Sequence, residues 1–211
     1  MTEHTHDGHT HDEHFWDEHY ATIDPAWGTR PNAVLVDVLG ALAPAAGRAV
    51  DLGCGHGGDA LWLASLGWHV TAVDASAVAL GRVAQAAADA GLSDRVTVEQ
   101  HDLRASMPSG RFDLVTSAYL HGPDEFPRSE VLHRAADLVA PGGLLLIVEH
   151  ASVAPWMHHA QFPTAQESLA SFELGDGWSV ERLESPRRVA TGPDGQVAEV
   201  TDNVIAVRRA R

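Results

Sequence analysis

The run VDLGCGHGGDALWLASLGWHVTAVDAS, Val50 to Ser76, governs how the rest of the chain is read. Glycines at 53, 55 and 58 give the spacing G-x-G-x-x-G, and Asp74 follows about twenty residues after the loop opens. That spacing suits a dinucleotide site, where loop N–H groups at a helix N-terminus hold a pyrophosphate. Asp51, two residues before Gly53, opposes that reading. A carboxylate about 6 Å from a phosphate repels it by roughly 3 kcal/mol at an effective dielectric near 20. A cationic ligand reverses the sign.

Outward from this run, strand and helix patterns alternate. Strands are expected at Arg48–Leu52, His69–Val73, Arg95–His101, Phe112–Ala118 and Leu144–Glu149. Helices are expected from about Pro31 to Leu42, over Asp59–Leu66, from Ser76 as cap to Ala90, and over Glu130–Val139, where PGG ends the last. Strands separated by helices imply a parallel sheet covered on both faces. The chain then closes differently, with Trp178–Glu184 and Val197–Val207 joined through GPDG, and so close a link requires an antiparallel pair. The expected fold is α/β: a Rossmann-like doubly wound sheet, mostly parallel, ending in an antiparallel C-terminal hairpin, with seven strands in all.

The 211 residues suffice for one domain. Residues 1–14 are polar and low in complexity and are expected to be a disordered tail. Residues 15–211 form the domain: 15–45 an N-terminal helix or lid, 46–150 a cofactor-binding core, and 151–211 a substrate-side segment with the hairpin. A formal net charge of −15 counts against a nucleic-acid partner. The single cysteine, Cys54, allows no internal disulfide and suits a reducing compartment. No apolar run approaches the roughly 20 residues of a membrane helix. A cytoplasmic protein without nucleic-acid or membrane partners is expected.

VDLGCGHGG followed by VDAS resembles motifs I and II of the class I S-adenosylmethionine-dependent methyltransferases, whose cofactor carries a cationic sulfonium and ammonium. The resemblance extends from about Arg48 to His150 through QHDL (Gln100–Leu103), FDLVTSAYLH (Phe112–His121) and APGGLLLIVEH, and the final hairpin matches the family's last two strands. It implies that Gly53, Gly55 and Gly57 shape the loop around the methionine part, with Asp51 beneath it. It implies that Asp74, with Ala75 beside it, holds the ribose hydroxyls, and that Asp102 and Leu103 hold the adenine. Ser117 is implied at the methyl-donor end, and S-adenosylhomocysteine as the product. Taken singly, Asp51, Asp74 and Asp102 read equally well as strand-end or turn-capping acids.

The acceptor is less defined. SAYLHG after the fourth strand lacks the Asn/Asp-Pro-Pro-aromatic motif of methyltransferases acting on bases or protein glutamine, which leaves a small molecule. In similar small-molecule enzymes an aromatic segment folds over the cofactor, and Trp16, His19, Tyr20 and Trp27 would supply it here, with Arg30 on the cofactor's carboxylate. The alternative is that these aromatics only dock an N-terminal helix. His121 and His150 follow the fourth and fifth strands and are candidate general bases, or else packed histidines. The overall pattern is similar to the tellurite-resistance methyltransferases, but a His-Arg pair and an Arg of that family are replaced by Val189, Ala190 and Val197. In the tail His4, His6, His9, His11 and His14 could bind a divalent metal loosely. Two other functions fit parts of the sequence: an NAD-dependent oxidoreductase, from the glycine spacing, and a non-catalytic metal-binding protein, from the tail.

Overall fold

A computed structural model describes residues 10–24, 26, 28–122, 126–152, 154–155, 162–191 and 195–211. Its helices are α1 (Thr10–Thr22), α2 (Ala33–Leu42), α3 (Gly58–Ser65), α4 (Ala77–Asp89), α5 (Arg128–Asp137) and α6 (Ala165–Ser171). Its strands are β1 (Arg48–Leu52), β2 (His69–Asp74), β3 (Val96–Gln100), β4 (Phe112–Ala118), β5 (Val139–His150), β6 (Trp178–Glu184), β7 (Arg187–Thr191) and β8 (Val197–Arg209).

The central strands bury both faces, which is why they read as unbroken apolar runs. Leu144 to Val148 of β5 are all fully buried. One face packs Phe112, Leu145, Ile147 and Ile205 against Val131 and Leu132 of α5 and Phe172 just after α6. The other packs Leu114, Leu146 and Val204 against Leu35 of α2, Leu63 of α3 and Val83 of α4.

The strand order is β3-β2-β1-β4-β5-β8-β6, parallel through β5, with β8 inserted antiparallel between β5 and β6. The chain therefore changes direction of travel across the sheet between β1 and β4. In an open α/β sheet that switch point, at the carboxyl ends of the strands, is where a crevice opens.

Three expectations need correction. The sheet has eight strands rather than seven: β7, within the segment expected to be a connection, pairs with the first half of β8 from Arg187↔Thr201 to Thr191↔Val197. Thr10–His14 are not tail, because α1 starts at Thr10. Val139, expected as the end of a helix, opens β5, whose register shifts against β4 between Phe112 and Leu114. α6 was not expected; apart from it and β5, the strands and helices from α2 to β6 begin and end within about two residues of their expected bounds, the usual uncertainty at element ends.

Candidate active site

β1 ends at Leu52 and passes into the glycine loop, which β2 holds: Gly53 and Cys54 both donate their N–H to the Val73 carbonyl, at 2.8 and 2.9 Å. Gly53 has φ +76°, a left-handed conformation that costs a side chain dearly, and a Cβ there would meet Leu120 Cδ1 at 2.8 Å. Gly58 is needed for a different reason. A Cβ on it would lie 2.6 Å from the Gly28 carbonyl oxygen, so its bareness lets the 28–30 strap cross the start of α3.

Three acids surround this loop. Asp51 is 2% exposed and accepts from the Thr116 hydroxyl of β4 at 2.9 Å. Burial, and then the charges of Asp59 and Asp74, push its carboxyl up to about 8, against the lowering effect of Thr116. Asp59, in the first turn of α3, accepts the Asn32 N–H at 2.6 Å and is also raised by burial. Asp74, at the end of β2, is raised by burial although it accepts the N–H groups of Gly55 (2.9 Å) and Ser76 (3.0 Å). Burial beside Asp74 and Asp51 also holds the Cys54 thiol well above its ordinary range, so Cys54 is no thiolate nucleophile.

Above the loop opens a cleft of about 160 Å³, lined from β2 and β3 by Asp74, Ala75, His101, Asp102 and Leu103, and from the end of β4 by Tyr119, Leu120 and His121, with Phe126 beyond. Gly53 forms its floor, and α1 closes it with Trp16, His19 and Tyr20. Trp16 meets the His121 ring edge-on at 5.6 Å, and Tyr20 meets His56 at 5.1 Å. What fixes the helix there is Asp17, which accepts from the Ser76 hydroxyl at 2.6 Å and from the Val78 N–H at 3.1 Å. A side chain of α1 thus caps α4 together with that helix's own cap, Ser76.

Of the residues singled out from the sequence, the cleft brings together Trp16, His19, Tyr20, Gly53, Asp74, Ala75, Asp102, Leu103 and His121. Asp51, Gly55, Gly57 and Ser117 stand outside its lining: Asp51 and Ser117 are buried, Gly55 approaches the Tyr20 hydroxyl, and Gly57 is the N-cap of α3. Asp102 lines the cleft, and it holds the following turn through the Arg104 N–H at 2.9 Å and an ion pair with the Arg104 guanidinium at 3.1 Å. The Arg30 side chain is exposed and not among the lining residues. His150 also lies outside the lining. Trp27, His4, His6 and His9 lie outside the described residues, as does the side chain of His11. Among the described residues no group of three or more metal-ligating side chains is disposed to hold an ion, and no helix is long and apolar enough to cross a membrane.

Sequence reasoning passed over Asp17, His101, Tyr119, Leu120 and Phe126. Tyr119 and Leu120 carried a signal, since they directly follow a strand at the switch point. Asp17 carried none, because its partner is 59 residues away.

Residues 49–143 match the family model described as a methyltransferase domain. Among curated proteins, 129 residues are 36% identical to the probable chloroplastic tocopherol O-methyltransferase of Oryza sativa subsp. japonica, covering 59% of this chain and 33% of that one. The ubiquinone biosynthesis O-methyltransferase of Caulobacter sp. is 35% identical over 104 residues, 47% and 39% of the two chains. The ribosomal RNA small subunit methyltransferase C of Alcanivorax borkumensis is 35% identical over 108 residues, 48% and 32%. The chain spans only about a third to a half of the length of these relatives.

Among solved structures, a protein of echinomycin biosynthesis, studied for the conversion of a disulfide bond into a thioacetal group, superposes with a TM-score of 0.72 at 23% identity over 94% of this chain and 93% of that one. TehB from Haemophilus influenzae gives 0.65 at 18% identity, over 95% and 67%. These likenesses concern the fold. The family match covers residues 49–143, and the solved structures share a fold that extends over nearly the whole chain.

Proposed function

We propose that the protein transfers a methyl group from S-adenosylmethionine to a small-molecule acceptor, releasing S-adenosylhomocysteine. The observation that carries this reading is the crowding of Asp51, Asp59 and Asp74 around one glycine loop, each pushed up by burial. A pyrophosphate would add negative charge to that place. A sulfonium with an ammonium nearby would neutralise it, so the residues fit this cofactor and argue against NAD. The oxidoreductase and metal-storage readings draw no support from the relatives either.

When bound, the cofactor supplies an electrophilic methyl on a positively charged sulfur. The chain's own residues do the rest. Asp74 receives the two ribose hydroxyls on the lone pairs that Gly55 and Ser76 leave free, and Asp102 and Leu103 meet the adenine edge. The glycine loop and Asp51 hold the methionine part. α1 excludes water and keeps the acceptor in line with the methyl–sulfur bond, which can supply much of the rate. The O-methyltransferase relatives and the acidic balance of the chain favour a small acceptor over RNA. A single, half-buried cysteine suits a cytoplasmic enzyme.

The test is the affinity of Asp74→Ala for S-adenosylhomocysteine. Losing hydrogen bonds to a charged group costs about 1.5–3 kcal/mol, so affinity should fall roughly 10- to 100-fold. An unchanged affinity, by calorimetry on folded protein, would contradict the assignment.

A further inference from the structure

Next to the cleft, side chains from β5, β7 and the end of β4 meet around one carboxylate of β8. Asp202 is fully buried. It accepts from the Tyr119 hydroxyl at 2.7 Å and from the Arg188 guanidinium, whose Nε binds one oxygen and whose Nη2 lies 3.3 Å from the other. The same Oδ1 faces His150 Nδ1 at 3.5 Å. The His150 ring stacks on the Tyr119 ring with centroids 4.2 Å apart and 18° between planes, and Phe162 approaches the imidazole at 6.0 Å.

Tyr119 joins this cluster to the cleft, which its residue also lines. Its backbone is left-handed at φ +54°, a strained state for a tyrosine that persists only where the surroundings over-determine it. Here its N–H bonds the Val148 carbonyl at 2.8 Å, its carbonyl meets His121 Nδ1 at 2.6 Å, and its hydroxyl is held by Asp202. A packed core histidine has no need of such a seat. A carboxylate facing Nδ1 places the proton on that nitrogen and leaves the Nε2 lone pair to accept. The imidazole is 31% exposed.

We propose that His150, oriented by Asp202, is the general base of the methyl transfer, and that the acceptor is the hydroxyl of a phenolic small molecule seated beside Tyr119. The proposal rests on the methyl-transfer reading above. A thiol ionises readily near neutral pH and needs no base, whereas a phenol does. In the reaction the acceptor oxygen forms its bond to the methyl carbon as the methyl–sulfur bond breaks. The electron pair of that bond stays on sulfur, giving neutral S-adenosylhomocysteine. The phenolic proton passes to His150 Nε2, and the positive charge once on sulfur rests on an imidazolium facing Asp202. Tyr119 and Arg188 are positioning residues, fixing the carboxylate that fixes the ring. Among the described residues, the charged and titratable groups at His150 are Asp202 of β8 and Tyr119, with Arg188 of β7 on the far side of the Asp202 carboxylate. Its neighbour Glu149 turns to the opposite face of the sheet and pairs with Arg128 at 2.6 Å.

The experiment compares wild type, His150→Gln and Asp202→Asn with S-adenosylmethionine and two acceptors of matched size, a simple phenol and the corresponding thiophenol. At pH 7 phenol methylation by His150→Gln should fall about 100-fold or more, and thiophenol methylation at least about tenfold less than that. The phenol deficit should shrink as the pH approaches the acceptor's own ionisation near ~10. Nitrogen-15 spectra of histidine-labelled protein should show neutral His150 protonated on Nδ1 in the wild type and a mixture of tautomers in Asp202→Asn. S-adenosylhomocysteine binding by both variants reports folding.

Equal losses on the two acceptors, an undiminished phenol rate, or methylation of the thiophenol alone by the wild type would each overturn the proposal. If the wild type methylates neither, the tautomer decides, and a proton on Nε2 overturns it. Failure of the wild type to bind S-adenosylhomocysteine is a different result and overturns the methyl-transfer reading instead.

Discussion

Asp51 carries a testable cost. Its folded-state pKa, about 8, lies far above its ordinary value of 3.8 because burial disfavours the charged form and Asp59 and Asp74 add repulsion. An acid raised in the folded state binds its proton more tightly there than in the unfolded chain. Stability is therefore highest at low pH for this group and declines as pH rises through 3.8 towards 8, by at most about 1.4 kcal/mol per pH unit. Asp51→Asn should remove its share of the fall in melting temperature between pH 5 and 8, about 3 °C per unit for a chain of this size. Parallel wild-type and variant curves would refute the burial of a protonated carboxyl. Asp51 was legible because a charged residue interrupts an apolar strand. For Tyr119 only the place after a strand was legible: the residue type says nothing of a positive φ, and its hydroxyl partner lies 83 residues away.

Among the elements, α1 shows what local pattern cannot reveal. Its sequence, THDEHFWDEHYAT, has no apolar stripe, so its N-terminal half reads as tail. The helix is stabilised instead at a distance, by Asp17 on the N-terminus of α4 and by Trp16 and Tyr20 over the cleft. Removing a capping side chain costs about 0.5–2 kcal/mol. Asp17→Ala should loosen the cover by that amount, raising the dissociation rate of S-adenosylhomocysteine roughly 2- to 30-fold and speeding amide exchange in α1 but not in β5. An unchanged dissociation rate would mean that α1 is no lid. By contrast α6 was legible and passed over. Thr164 and Glu167 form a capping box, with the Thr164 hydroxyl accepting the Glu167 N–H at 3.2 Å and the carboxylate reaching back to the Thr164 N–H at 2.8 Å. β7 was hidden because PRRVAT has neither the length nor the alternation of a confident strand, and only the long β8 gives it a partner.

Across the whole molecule, the order of patterns along the chain was enough for the architecture. Apolar runs separated by helices fixed the parallel part of the sheet, and a link too short for a crossover fixed the antiparallel end. Which strand lies beside which, and so where the switch point falls, came from the packing. The site divides the same way. Its glycines and Asp51, Asp59 and Asp74 sit within one contiguous run of sequence, whereas Asp102, the cover, Tyr119 and the Asp202 cluster are assembled from distant segments. The central claim is that this crevice, acidic in a protein of net charge −15, is built for a cationic nucleoside rather than a dinucleotide. Titration calorimetry of the wild-type protein with S-adenosylmethionine, S-adenosylhomocysteine and NADH tests it most directly. The account predicts one-to-one binding of both adenosyl ligands, proton release near pH 7 that is greater for the sulfonium ligand and absent in Asp51→Asn, and no heat with NADH. Binding of NADH in preference to either adenosyl ligand would contradict it.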